Sequence, residues 1–471
     1  MSIQIARHDL RSYLRSGVFA TLAVALVALL VGAAALSSQR LSTFERERSA
    51  AEAVDREVWD SQGARNPHSA AHFARYAFKP VSELMAFDPG VTDYAGLALW
   101  MEAHNQNPAV FRRAEDLGDA GRFADLSPAW ILQYIAPLFL FLILFAAIAG
   151  EREQGTWRQM AAAGLSSRHM LAGKLMAAGS VIVALMVLAL LLSLWGTGSN
   201  DKAVLSDIFA RGIGLAVTYG LYLIGIGAVA IGVSALCREK RTALIALVGI
   251  WTVSFVLIPR LAASAATTIY PVPSATAITA DLSEASNAFY QDTEYRTRID
   301  EEVLKRYEVD RKEDLPINYG GYSLQASEKH AEPLFEAVYA GLDNVYEKQE
   351  ALMSAASFVS PVLALDTLSA GLAGTDRGHH RAFTWSAEQH RRTIIEQLNN
   401  DLTYKAAPDA LDYTNDETLW RDIPDFAHSP PSFSALSSEY LKSLLILLTY
   451  ALGGIFFAAF AVRRAHRSVA I

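Results

Sequence analysis

Three histidines, His379, His380 and His390, lie close together in the sequence, with Glu388 among them. Imidazole and carboxylate are ligands for zinc and copper, so the cluster raises a metal site. A site needs ligands that converge, and neighbouring positions on a helix point about 100° apart. These histidines therefore read first as surface or helix-packing groups and only weakly as metal ligands. No resident metal is expected. Covalent chemistry has less support. The chain has no G-x-S-x-G and no H-E-x-x-H, so a membrane hydrolase lacks a motif and no catalytic residue is assigned. It also has no G-x-x-x-x-G-K-[ST], so it is not expected to hold ATP in a P-loop.

Charge appears in a more telling place at "GEREQGTWRQ", residues 150–159, directly after the apolar run "ILQYIAPLFLFLILFAAIA". Thr156 stands three residues before Gln159, the spacing of a capping box, and Gly155 permits a sharp turn before it. Glu151 and Glu153 fall near the positive end of the helix so started. Ser166 or Ser167 offers a second cap. The stretch reads as a short helix across a membrane face, a turn, and re-entry into lipid. The plainer alternative is a solvated loop with ordinary caps.

The elements that must position these residues follow from composition. The chain has 471 residues, 52% hydrophobic and 19% charged, with one cysteine, Cys237, and a net charge of −8. That balance fits apolar crossings joined to sizeable water-facing parts. It gives no sign of nucleic acid as a partner. A lone cysteine excludes an intrachain disulfide.

A lipid-crossing helix needs about 20 mostly apolar residues. Six stretches qualify: 17–36, 131–149, 175–195, 212–236, 242–259 and 443–462, none with a charged residue. The fifth is the shortest. The first has a longer apolar core than the roughly 7–15 residues of a cleaved signal, so it is expected to stay as an anchor. Basic residues set the orientation. Arg7, Arg11 and Arg15 precede the first span. Arg152, Arg158, Arg168 and Lys174 occupy the 150–174 gap, Arg238, Lys240 and Arg241 the next short gap, and Arg463, Arg464 and Arg467 the tail. The short loop 196–211 carries only Lys202 and Arg211. Both termini and the 150–174 gap are thus expected in the cytoplasm, and segments 37–130 and 260–441 outside. The fold class expected is an all-α membrane protein. Its six transmembrane helices would carry a mainly helical extracytoplasmic domain built from the loops after spans one and five. "FERERSAAEAVDREVWD" has the composition to prolong the first span as a stalk.

The spans carry no acid or base for ion coupling. Any work done on them must then arrive from another polypeptide. Span four also has Gly212, Ala216, Gly220, Ala228 and Gly232 at four-residue spacing. That stripe suits close helix packing, although glycine is common in membrane helices generally.

"EREQGTWRQMAAAGLSSRHMLAGKLM" resembles the E-x-E-x-G-T segment between the second and third spans of permeases of the type-2 ABC exporter family. Glu151, Glu153, Gly155 and Thr156 match it position by position, and Trp157 stands where an aliphatic residue is usual. "IARHDLRSYLRSGVF" (within 1–16) resembles the family's amphipathic interface helix. Residues 258–274 and 360–399 look like a subgroup with a large extracytoplasmic domain of uncharacterised role. The resemblance implies a permease subunit in a bacterial inner membrane. Residues 150–174 would be its coupling helix, with Glu151, Arg152, Glu153, Gly155, Thr156 and Arg158 facing a separate ATP-binding subunit. Arg7, Arg11 and Arg15 would lie on the interface helix and 463–471 would be a cytoplasmic tail. ATP and magnesium would sit on the partner, with no cofactor on this chain. A second permease copy or a paralogue, and membrane lipid, complete the implied partners. Two alternatives stand beside export: a mechanotransmitter that works a periplasmic partner with no cargo crossing, and a membrane-anchored binding or structural protein.

Overall fold

The computed structural model describes residues 1–116, 126–194 and 202–468. Part of the short 196–211 loop and the last three residues of the 463–471 tail fall outside the described residues. Among the described residues six helices are long and apolar enough to cross a membrane: Gly17–Asp60, Pro128–Glu153, Ser167–Ser193, Val204–Leu236, Lys240–Ile269 and Ser437–Arg467. They are called here the first to sixth crossing helices. A helix satisfies every backbone donor and acceptor within itself, which is what lipid demands.

The crossing helices overrun their apolar stretches, and each overrun has a cause. The first continues to Asp60 because its polar half is rich in good helix formers and paired charges. Arg48 meets Glu45 at 2.8 Å and Glu52 at 2.5 Å, and Arg56 meets Asp60 at 3.0 Å. The fifth does not stop at 259, where the apolar count ended. Pro259 lacks an N–H and its ring would clash with the carbonyl four residues back. A widened π-turn at Thr252–Leu257 absorbs that clash, and the helix runs on to Ile269. The second crossing helix uses the same device, with a π-turn at Ile131–Ile135 ahead of Pro137.

The fourth crossing helix is the most enclosed, with Tyr219, Tyr222, Leu223, Ile231 and Ala235 all buried in the bundle core. Its closest approach is to the sixth. A Cβ on Gly454 would stand 2.7 Å from the Gly225 carbonyl oxygen, and one on Gly225 would stand 3.1 Å from that of Tyr450. Gly225 lies off the stripe read from sequence. Within the stripe, Gly232 is tight against Phe457, while Gly220 meets only ordinary contact. Small residues do bring these helices together, at Gly232 within the stripe and at the Gly225–Gly454 pair outside it.

The segments between the first and second and between the fifth and sixth crossing helices form a single head. Its core draws Trp59, Leu99 and Met101 from the first segment and Phe383, Ile394, Leu398 and Trp420 from the second. Trp59 donates to the Trp420 carbonyl, and Trp420 donates to that of Gly63, both at 2.9 Å. Tyr319–Ala356 and Arg377–Lys405 are its longest helices. The described residues are mainly helical, as expected, and the one exception among them is a short antiparallel pair of strands, Arg75–Phe78 with Ala98–Met101, in the first segment. Short alternating runs of this kind are too brief for a periodicity count to separate from loop.

Pro361–Ala373 also departs from the sequence reading, which placed it wholly in the outer segment. Val362, Leu365 and Leu368 are buried in the bundle core. Gly371 lies against the ring of Tyr440 on the sixth crossing helix, and Leu372 against Gly214 on the fourth. This helix therefore joins the head to the bundle.

Candidate functional site: the elbow between the second and third crossing helices

At one end of the bundle the chain turns twice. The Ala149–Glu153 helix ends at Gly155, whose φ of +80° only glycine adopts without strain. Thr156–Ala162 follows, then Gly164 at φ +79°, then Ser166, whose hydroxyl accepts from the His169 N–H at 3.4 Å to cap the third crossing helix. The turn at Gly155 and the Ser166 cap match the sequence reading. The capping box does not. Gly155 itself occupies the cap, and the Thr156 hydroxyl donates back to the Glu151 carbonyl at 3.1 Å. The positive φ at Gly155 carries the chain past the conformation a side-chain cap requires. Trp157 is 1% exposed and sits in the bundle core. It anchors the short helix to the bundle.

The elbow's charged residues reach different helices. Glu151 pairs with Lys174 on the third crossing helix, and Lys174 also meets Asp9 of the N-terminal helix at 3.0 Å. Arg152 donates to the carbonyls of Ala235 at 2.6 Å and Cys237 at 3.1 Å. These are orphan acceptors at the end of the fourth crossing helix, where a cation suits the helix dipole. Glu153 accepts from the Lys240 N–H at 3.1 Å, at the start of the fifth crossing helix. Arg158 is exposed, and Glu153 half-exposed. The N-terminal helix, Ser2–Arg15, lies against the third crossing helix, with Ile5 filling the space over Gly173. Its Arg7, Arg11 and Arg15 are all exposed. Of the residues proposed to face a partner, Glu151 and Arg152 are thus spent largely on internal ties, while Glu153, Arg158 and the three N-terminal arginines present surface.

The opposite end of the bundle carries charge that the spans alone do not supply. Asp88 is buried, held by the Ser369 hydroxyl and by the Gly90 N–H at 3.0 Å. Burial pushes its carboxyl up, against those two donors. Ser369 meets Tyr219 at 2.8 Å, Gln133 donates to Tyr219 at 3.2 Å, and Tyr222 donates to the Gln133 carbonyl at 2.6 Å. Flanking segments therefore bring a carboxylate against span residues, which a count of charges within the spans misses.

The histidines picked from the sequence sit in the head and do not converge. His379 bonds Asp376 through Nδ1 at 2.6 Å. Burial, then Lys79 and Arg112, pushes His380 down to about 3. His390 packs beside Phe426. Glu388 is fully buried between Arg391, at 2.8 Å, and Arg392, at 2.8 Å. Among the described residues a different trio comes together: His68, His72 and His104. His68 Nε2 lies 3.2 Å from His72 Nε2 and 3.3 Å from His104 Nε2. Burial, then the His104 and His72 charges, pushes His68 down to about 4, so its ring is neutral near pH 7. The four-residue spacing of His68 and His72 behind "NP" was a visible signal for half of this trio, since i and i+4 share a helix face. Nothing local marks His104.

A family model described as a domain of unknown function, DUF3526, matches residues 275–429. That region covers most of the second head segment and stops short of the elbow and of the histidine trio. No curated protein and no solved structure matches the chain.

Proposed function

We propose that the chain is the membrane subunit of an ATP-driven ABC exporter in a bacterial inner membrane, with its elbow in the cytoplasm. The observation that carries this reading is the grip of the elbow. Glu151, Arg152 and Glu153 reach three crossing helices and, through Lys174, the N-terminal helix. A push on the elbow would move all four at once. A separate ATP-binding subunit would deliver that push through Glu153, Arg158 and the exposed Arg7, Arg11 and Arg15. ATP and magnesium would reside on that subunit, and a second permease copy would complete the pathway. A partner shifts a two-state equilibrium only by contacting the states differently, so the exposed elbow surface must change between them.

One observation favours mechanotransmission. The Pro361–Ala373 helix packs on both the fourth and sixth crossing helices. Motion of the bundle would pass to the head whether or not a solute crosses.

The side of the membrane is testable with the chain's own thiol. Cys237 is the sole cysteine and lies at the elbow end. An impermeant maleimide should label it only after the membrane is opened, with a cysteine placed at exposed Leu411 in the head as the opposite control. Labelling of Cys237 in sealed cells would sink the orientation. Docking is tested by co-purifying the ATP-binding subunit with Glu153→Arg and Arg158→Glu. Both should assemble poorly while inserting normally. Full-strength capture by both variants would remove the elbow from the interface.

A further inference from the structure

We propose that His68, His72 and His104 form a binding site for one divalent transition-metal ion, zinc by preference, with a coordination position left open. This inference does not depend on the exporter reading.

Distance is the first argument. Zinc binds imidazole nitrogen at about 2.0–2.1 Å and prefers a tetrahedron, in which neighbouring ligand atoms stand about 3.3 Å apart. The Nε2 atoms of His68 and His72 are separated by 3.2 Å and those of His68 and His104 by 3.3 Å. All three ligand atoms fall within 4.8 Å of one another. Three imidazoles and no carboxylate suit zinc or a neighbour in the series, rather than magnesium or calcium.

Proton placement is the second. Glu328 Oε1 lies 3.0 Å from His104 Nδ1 and accepts the His104 backbone N–H at 2.6 Å. With the Nδ1–H kept on the ring and donated to this carboxylate, the lone pair of His104 stands on Nε2, toward His68. Metal-bound histidines are commonly fixed in this way by a carboxylate behind them. Glu328 is itself fixed by Arg391 at 2.9 Å. A single ring nitrogen either donates or accepts, so His68 Nε2 has one proton or one lone pair, not both, for the two nitrogens that face it. A cation serves all three lone pairs together.

Backbone strain is the third. His104 has φ +63°, a conformation unusual for a residue other than glycine. Such strain persists only where the surroundings over-determine it, and it collects at functional positions. Here it turns the ring toward the helix that carries His68 and His72. His72 is exposed while His68 and His104 are half-buried. A metal would therefore have an entry path and an outward position for water or a donor from a partner. Because Glu328 belongs to the second head segment and the histidines to the first, an ion bound here would tie the two segments together.

The test uses the full-length chain in detergent, stripped with a chelator and titrated with zinc. The expected result is one zinc per chain, and cobalt substitution should give the visible absorption of a four-coordinate site. His72→Ala removes an exposed ligand without touching the core and should weaken zinc binding by at least about 10–100-fold. His104→Asn should do the same while tolerating the left-handed backbone. His390→Gln, elsewhere in the head, should bind zinc as the parent does. Equal zinc affinity in the parent, His72→Ala and His104→Asn would overturn the assignment, as would a parent chain that takes up no zinc after stripping.

Discussion

Two lysines are buried almost equally, Lys174 at the elbow with 4% exposure and Lys79 in the head with 5%. Their surroundings differ. Lys174 is held between Asp9 and Glu151. Among the described residues the ammonium of Lys79 has no hydrogen-bond partner, and burial pushes it down to about 8, with Asp376 opposing. The elbow thus encloses a charge together with its counter-charges and ties helices with it. The head encloses a charge that it would be better without. The contrast teaches where the molecule's electrostatics are organised around one junction and where burial is incidental to packing.

Breaking the elbow lysine should have the largest effect. Lys174→Ala leaves two carboxylates facing each other without their cation. Removing one partner of a buried ionic cluster typically costs about 3–5 kcal/mol. Thermal unfolding in detergent should show that loss, and Lys174→Arg should recover part of it. A variant as stable as the parent would mean that the cluster is not a structural tie.

The head lysine should respond with the opposite sign. Replacing an unsatisfied buried group by an apolar one of similar shape should stabilise by about 1–3 kcal/mol. Lys79→Met should therefore raise the unfolding temperature at pH 7. The pH dependence follows from linkage. The folded chain releases the Lys79 proton near 8, while an unfolded lysine keeps its proton to about 10.4, so the unfolded state binds more protons in that window. The parent's stability should gain a contribution as pH rises from about 8 to 10, and Lys79→Met should lack it. Identical pH profiles for the two chains would mean that Lys79 finds a partner in solution.

The same contrast explains what the sequence discloses. Crossing helices were legible because about twenty apolar residues in a row have few other uses, and lipid enforces the helix. The elbow's turn at Gly155 was legible because a positive φ has a residue signature. Its ties were not, since Asp9, Glu151 and Lys174 are far apart in sequence and meet only in the fold. Thr156 misled because a capping box is a local pattern that a backbone turn one residue earlier displaced. The head was read least well. Its strands are short, and its candidate ligands come from one helix and one distant loop. The adjacent His379 and His380 drew attention by proximity, yet each is committed to a different neighbour. Proximity in sequence is a good guide to backbone geometry and a poor one to convergent side chains.

The smallest effect separates stability from coupling at the elbow itself. Gly155 and Gly164 both have positive φ, and a Cβ at either would meet nothing within 4 Å. Alanine at either position therefore costs only backbone strain, about 1–2 kcal/mol. Gly155 lies between the helix tied to three crossing helices and the helix that Trp157 anchors, whereas Gly164 lies beyond both. If the angle at Gly155 sets the surface offered to a partner, Gly155→Ala should reduce both capture of the proposed ATP-binding subunit and stimulation of its ATPase more than Gly164→Ala does, at matched thermal stability. Equal losses in the two variants would show that the partner reads the folded state of the elbow as a whole and not the turn that Gly155 sets.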